Sequence, residues 1–221
     1  MFEERFGLTG AELDHEYRGY EPQSRFVCVV DEARSLAVGA ARLILPGSEE
    51  PKSLHDLRSR WGVTASAGWF RNSTGIELSA TWDVASLAVL PGYRKQLVSL
   101  ALYQGICTTA RLCGAMAFLA ILDLAVLRLL QHRLASGFEQ LPGVGAEMYM
   151  GSTSLPVWAG VKSWIERLEA KDPNLCATVF YGEHLEPVVS PPEWSRRGLA
   201  AWLRDSAPSP ISETPSSGGR G

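Results

Sequence analysis

Thiols are scarce in this 221-residue chain: Cys28, Cys107, Cys113 and Cys176 form no CxxC pair and stand beside no group of histidines. That spacing supplies neither a disulfide framework nor a zinc site, and it fits a reducing compartment. Long apolar runs are also missing. The longest, residues 115–130, is broken by Asp123 and Arg128 and is too short to span a bilayer. The opening MFEERFGLTG has acidic residues and no apolar segment of the signal-peptide kind. Net charge is only −3, so bulk electrostatics draw the chain to neither nucleic acid nor an anionic membrane. No GxGxxG or GxxxxGKS/T string is present, which removes the usual nucleotide-binding βαβ reading. No internal repeat is visible. What remains is a cytoplasmic globular protein, 46% apolar and 20% charged, able to build one core. Its expected organisation is a single domain over residues 1–204, with a core at 25–153 and an extension at 154–204. Residues 205–221 end in the low-complexity SAPSPISETPSSGGRG and are expected to be disordered.

Residues 82–112, WDVASLAVLPGYRKQLVSLALYQGICTTARL, organise the rest. The first nine are apolar apart from Asp83 and Ser86 and read as a strand ended by Pro91-Gly92, where proline cannot continue a ladder and glycine can take a positive φ. Leu97, Val98, Ala101, Leu102 and Ile106 then recur at helical spacing. A strand feeding a helix through such a turn directs the free N–H groups and positive dipole end of that helix beyond the strand, a site suited to anions. Arg94 and Lys95 add two cations there. The stretch fits a phosphate-bearing ligand, and equally an ordinary βα corner with two solvated cations.

The flanking sequence is read as follows. Phe2, Phe6, Leu13 and Tyr17 line one side of short helices; residues 25–30 and 35–45 form a β-hairpin closed by a polar turn at residues 31–34. Gly39, Ala40 and Ala41 in its second arm permit close approach of another backbone or a ligand. Arg42, in the same apolar arm, is either a snorkelling residue or a substrate-facing cation. A short helix over residues 53–61 is expected, with Ser53 as its cap and Asp56 in its first turn. Residues 62–75 read as a mobile loop interrupted by Trp69 and Phe70, which either pin it to the core or line an apolar tunnel. Residues 114–123 form an unbroken apolar strand, covered on both faces as in a parallel or mixed sheet. A helix over residues 124–135 follows, with Gly137 as its left-handed terminator, making a right-handed βαβ unit. Later elements are expected as a strand at 147–153, a helix from 154 to about 170, a strand at 175–181 and a last helix at 194–204, capped from Ser190.

The fold class is therefore α/β, a mixed central sheet flanked by helices on both faces, and its order of features resembles the GNAT (Gcn5-related) N-acyltransferase superfamily over residues 25–153. More narrowly, the N-terminal EERF and the strands GAARLILPG and WDVASLAV, with the helix and strand after them, resemble the branch of acyl-homoserine-lactone synthases and long-chain N-acyl amino acid synthases. The resemblance implies an acyl thioester donor, acyl-CoA or acyl-phosphopantetheine on an acyl carrier protein, and an amino acid-like amine as acceptor. It implies no metal. Against the family pattern, the glycine-rich pyrophosphate loop is reduced to Leu90, Pro91, Gly92, Tyr93, Arg94 and Lys95. A carrier-protein pantetheine, with one phosphate, needs less of such a loop than coenzyme A. The Glu-x-Ser-Arg-like string of the lactone synthases is answered here by Asp83, Val84, Ala85 and Ser86, without the arginine. The tyrosine that many family members carry before Gly137-Phe138 is replaced by His132 and Arg133.

Direct transfer needs a deprotonated amine, a polarised thioester carbonyl and a stabilised thiolate. Backbone N–H groups near Ala88, Val89 and Leu90 are the candidates to polarise the carbonyl. Asp83 is the first candidate base or ammonium ligand, its alternative being a strand-start residue capping a neighbouring turn. Glu77 is a second candidate of the same kind. Asp123 stands at the ligand edge of the sheet or caps the following helix. His132 is a candidate acid or a solvated helix residue. Tyr149 lines an acyl channel or the core. Trp61, Trp69, Phe70, Trp82, Phe118 and Phe138 suit either a pocket for a long acyl chain, at about 0.8 kcal/mol per buried methylene, or an ordinary core. A cysteine acyl-enzyme is disfavoured, since no cysteine has a basic partner in sequence. Two functions stay open: an acyltransferase, and a GNAT-like module that binds an acyl thioester or a protein without catalysis.

Overall fold

Alternation fixes the first hairpin. Strand β1, Ser24–Asp31, turns Val27 and Val29 inward and leaves Phe26, Cys28 and Val30 exposed. A short 3-10 turn with Ser35 in the left-handed region (φ 48°) returns the chain as β2, Leu36–Ile44. The computed structural model describes residues 9–47, 50–94 and 97–183, all within one compact unit, Met1–Ser190. The expected helix at 194–204 and the tail lie outside the described residues, as do the EERF string and Lys95.

The helices are α1 (Gly10–Tyr17), α2 (Lys52–Arg60), α3 (Ala67–Thr74), α4 (Val98–Leu112), α5 (Leu124–Leu134), α6 (Val161–Lys171) and α7 (Pro173–Cys176). The remaining strands are β3 (Thr81–Val89), β4 (Ala117–Asp123), β5 (Glu139–Gln140), β6 (Glu147–Tyr149) and β7 (Ser152–Gly160). They form one seven-stranded sheet in the order β1-β2-β3-β4-β7-β5, with β6 also on β7. Every pairing is antiparallel except β3 with β4, which the α4 crossover connects in parallel.

Helices cover both faces. On one, Val98 and Leu102 of α4 pack with Val38 and Val89. Gly39 permits this approach, because a Cβ there would lie 2.8 Å from Val98 Cγ1 and 3.1 Å from Leu102 Cδ1. Phe118 continues that layer against Trp164 of α6, whose ring also meets Phe138 and Phe180. On the other face, Leu119 packs with Leu54 and Leu57 of α2 and Phe70 of α3. The chain is thus a mixed α/β protein with its sheet between two helical layers.

The later elements depart from expectation. Residues 62–75 are not one loop: Ser66 accepts from the Trp69 N–H, Gly75 closes at φ 75°, and α3 lies between them. The helix expected from Ser154 begins at Val161, because β7 occupies Ser152–Gly160. Pro156 is tolerated in that strand because its carbonyl faces the β5–β6 side, accepting from Leu141 N–H at 3.2 Å. The missing N–H points the same way, between the β6 pairing that ends at Ser154 and the β5 pairing that begins at Val157, so the β4–β7 ladder loses no hydrogen bond. Residues 175–181 are helical rather than extended. Asp172 caps α7 through the Leu175 N–H, and a π-turn over Ala177–Tyr181 follows. Its carbonyls at Thr178, Val179 and Phe180 accept from Gln104, Thr108 and Arg111 of α4, satisfying backbone groups that a strand would have paired. Ala135, at φ 44°, terminates α5 in place of Gly137. The Pro91–Tyr93 turn is 3-10, and Gly92 is not among the residues with positive φ.

Candidate functional site

The one parallel pairing is short. β3 and β4 match only as Thr81 with Ala117, Trp82 with Phe118 and Asp83 with Leu119. Beyond that level β3 stays with β2 as far as Val89, while β4 stays with β7 as far as Asp123. The sheet therefore forks at Asp83 and Leu119. Burial follows the geometry: residues 81–83 and 117–120 are buried, whereas residues 84–88 and 121–123 are half-buried. Above the fork, the β4-facing edge of β3 presents backbone groups with no strand partner among the described residues, as an edge strand does.

A bulge accentuates the fork. Arg42 faces Ser86 and Leu43 faces Val84, so Ala85 is an extra residue on β3. The Tyr17 hydroxyl of α1 donates to the Ala85 carbonyl at 3.0 Å, tying the bulge to the N-terminal helix.

Under the fork lies a buried polar cluster. Asp83 is 0% exposed, and its two carboxylate oxygens accept from the Ser53 N–H and hydroxyl, both at 2.7 Å. The carboxylate thus binds the positive N-terminal end of α2, whose N-cap is Pro51 rather than Ser53. Burial pushes its pKa up to about 6, against the Ser53 hydrogen bonds and the charge of Lys52, which act downward. The neighbouring Lys52, 3% exposed, donates to Glu16 at 2.7 Å, Asp56 at 2.5 Å and the Tyr149 hydroxyl at 3.0 Å. Those three acceptors match the three protons of an ammonium. The Tyr149 hydroxyl in turn donates to Asp56 at 2.6 Å, and burial followed by the Asp56 charge raises its pKa well above the usual phenol range. For Glu16, burial works upward, but the hydrogen bond and charge of Lys52 outweigh it and hold the carboxyl below its ordinary value.

The sequence-predicted residues distribute unevenly about this fork. Ser86, Ala88 and Val89 are on its β3 arm, Asp123 is at the end of its β4 arm, Asp83 is at its base, and Trp82 lies in the paired segment below it. Asp123 accepts from the Ala125 and Val126 N–H groups and so caps α5. Arg42 lies between the rings of Tyr17 and Phe26, at 4.5 and 4.8 Å, and donates to Glu21 at 2.7 Å. Phe70 is fully buried against Leu119 and α2, and Trp69 packs on the same cluster. Glu77 is exposed and paired with Arg71 before the closed end of β3. His132 is exposed in the last turn of α5, whereas the fork opens at the first. Leu90 and Gly92 are exposed; the hydroxyl of Tyr93 donates to Asp31 and Arg94 Nε donates to the Val89 carbonyl at 3.3 Å. Lys52, Ser53, Asp56, Glu16 and Tyr17 were not legible as a cluster. The only sequence signal was the i, i+4 spacing of Lys52 and Asp56, which most often marks a solvated helix face. Among the described residues no group of three or more His, Cys, Asp or Glu could hold a metal ion, and no helix is long and apolar enough to cross a membrane.

No family model matches the sequence, and no curated protein matches it. Solved structures do resemble it. FeeM, an N-acyl amino acid synthase from uncultured soil microbes, is 12% identical with a TM-score of 0.54, over 75% of this chain and 90% of that one. BjaI, a CoA-dependent acyl-homoserine lactone synthase with SAM and isopentyl-CoA, is 13% identical with a TM-score of 0.48, over 77% and 79%. In its complex with MTA, only 64% of the BjaI chain is spanned. A putative GNAT-family acetyltransferase from Desulfovibrio desulfuricans is 17% identical with a TM-score of 0.44, over 72% and 88%. At these identities the likeness is one of fold alone: the mixed sheet between two helical layers is shared with FeeM.

Proposed function

We propose that this protein is an acyltransferase. It moves a fatty acyl group from an acyl thioester, acyl-CoA or acyl-carrier protein, directly to the amine of an amino acid-like acceptor. The observation that carries the reading is the fork. An extended pantetheine arm can add to the free edge of β3 as a strand would, with main-chain hydrogen bonds giving affinity. Backbone N–H groups over residues 84–89 then polarise the thioester carbonyl. The amine nitrogen forms the C–N bond, the C–S bond breaks, and the amine proton neutralises the departing thiolate. Beyond the strand end, Arg94 and the first N–H groups of α4 suit the donor's phosphate. The FeeM description as an N-acyl amino acid synthase favours the amino acid-like acceptor.

In this reading Asp83 touches no substrate. With 0% exposure and both oxygens committed to Ser53, it holds α2 beneath the fork. Tyr17, with Lys52 Nζ 5.2 Å from the centre of its ring, holds the bulge from the same side. The same commitments favour a second reading, a module that binds thioesters without transfer, because Asp83 and Tyr149 spend their polar atoms on each other's neighbours.

The two readings separate in one experiment. The protein is incubated with acyl-CoA or acyl-carrier protein and a panel of amino acids and amines, and products are followed by mass spectrometry alongside melting temperature. Acyl-amide formed with stoichiometric free thiol, and no acyl-protein, is the expected result. A donor at about a hundred times its Kd adds about 2.7 kcal/mol of stability, so a melting shift without product supports the binding module. Absence of both contradicts the thioester reading.

A further inference from the structure

The turn after β3 has one glycine, Gly92, which is not in the left-handed conformation, so over its described residues, 90–94, the backbone does not form the glycine cradle that usually holds a phosphate. It is held by side chains instead. The Tyr93 ring packs on Val38, Val89, Val98 and Leu102, and its hydroxyl donates to Asp31 at 2.7 Å at the tip of the β1–β2 hairpin. Arg34 closes the triangle, donating to Asp31 at 2.6 Å and to the Tyr93 hydroxyl at 3.2 Å. Both of these bonds leave from one terminal nitrogen, and the side chain is 69% exposed. The other terminal nitrogen has no hydrogen bond among the described residues. Arg94 is arranged alike: Nε is anchored on the Val89 carbonyl, and neither terminal nitrogen has a bond among the described residues. Two guanidinium groups, one bonded to the Tyr93 hydroxyl and one on the residue after Tyr93, are therefore anchored through one nitrogen with donors left over, the chemistry that recognises phosphate oxygens.

We infer that the Asp31–Arg34–Tyr93 latch replaces the glycine cradle: Arg34 is a phosphate ligand of the donor beside Arg94, and Tyr93 and Asp31 are the residues that position it. The inference rests on the thioester reading above and extends it to the hairpin, which sequence spacing does not connect to the turn.

The test compares three donors with the same long acyl chain: acyl-CoA, acyl-phosphopantetheine and the phosphate-free acyl-pantetheine. Their Kd values are measured by calorimetry on wild type, Tyr93→Phe, Asp31→Asn and Arg34→Gln. Each substitution removes a hydrogen bond or a charge at an exposed or half-buried site, and unliganded melting temperatures verify folding. The expected result is a roughly tenfold weaker Kd for the phosphate-bearing donors and an unchanged Kd for acyl-pantetheine. Equal weakening of all three donors would show a general distortion and overturn the inference, and so would variants that bind acyl-CoA as wild type does. If wild type binds acyl-pantetheine but gains nothing from phosphate, the latch fails while the fork stands. If it binds no thioester at all, the reading beneath falls and takes the latch with it.

Discussion

Asp83 shows how one residue type in one apolar strand can be read two ways. A carboxylate alone in a buried strand draws attention as a base, yet its folded environment is that of a helix-binding anion. Its pKa, raised by burial to about 6 from an ordinary 3.8, fixes the sign of a pH effect. Between those values the folded state holds a proton that the unfolded state has released. Asp83 therefore favours folding below about pH 4, and that contribution is lost as pH rises through about 6. Asp83→Asn keeps the size of the side chain and can still pair with the Ser53 N–H and hydroxyl. Chemical denaturation of both proteins at pH 4 and pH 7 should show wild type losing roughly 3 kcal/mol relative to the variant across that interval. A difference that does not change with pH would show that folding leaves the Asp83 pKa at its ordinary value. Lys52 is the companion lesson. Nothing in KSLHDLRSR distinguishes a lysine that faces water from one enclosed by Glu16, Asp56 and Tyr149, because two of those partners come from distant parts of the chain.

At the scale of elements, the two glycines singled out in the sequence exchange importance. Gly39 is where α4 rests on β2, and Gly92 has open space around it. Gly39→Ala should destabilise the fold by about 1–3 kcal/mol, because the new methyl meets the branched Val98 at 2.8 Å. Gly92→Ala should change stability by less than about 0.5 kcal/mol. Urea titrations of the two variants measure both, and a harmless Gly39→Ala would mean that α4 can move off the sheet. The elements legible in the sequence were those set by local pattern. β3 was expected over residues 82–90 and runs Thr81–Val89, and α5 was expected to begin at Leu124 and does. Those misread were set by partners or by overlooked caps. LCATVFY looks extended by composition, but Asp172-Pro173 starts a helix there and α4 supplies donors to its carbonyls. Pro156 suggested a helix start, and only the gap between β5 and β6 makes it a strand residue. The strand–turn–helix order beside the fork was legible, but the fork was not, since it depends on where β3 and β4 cease to pair.

For the whole molecule, the account reduces to an opening in a sheet. One helical layer, with α4, supports the β2–β3 arm, and the α1–α2 side locks the base through Asp83, Lys52 and Tyr17. This arrangement keeps the two arms apart, and the inner edge of β3 above Asp83 has no strand partner among the described residues. If an acyl thioester occupies that edge, it must cover the backbone amides there. Amide hydrogen exchange with and without a long-chain acyl-CoA tests this most directly. The account predicts slower exchange in peptides covering residues 84–94 and little change in peptides covering α6. Protection confined to other regions, or none at ligand concentrations that saturate binding, would contradict the fork as the donor site.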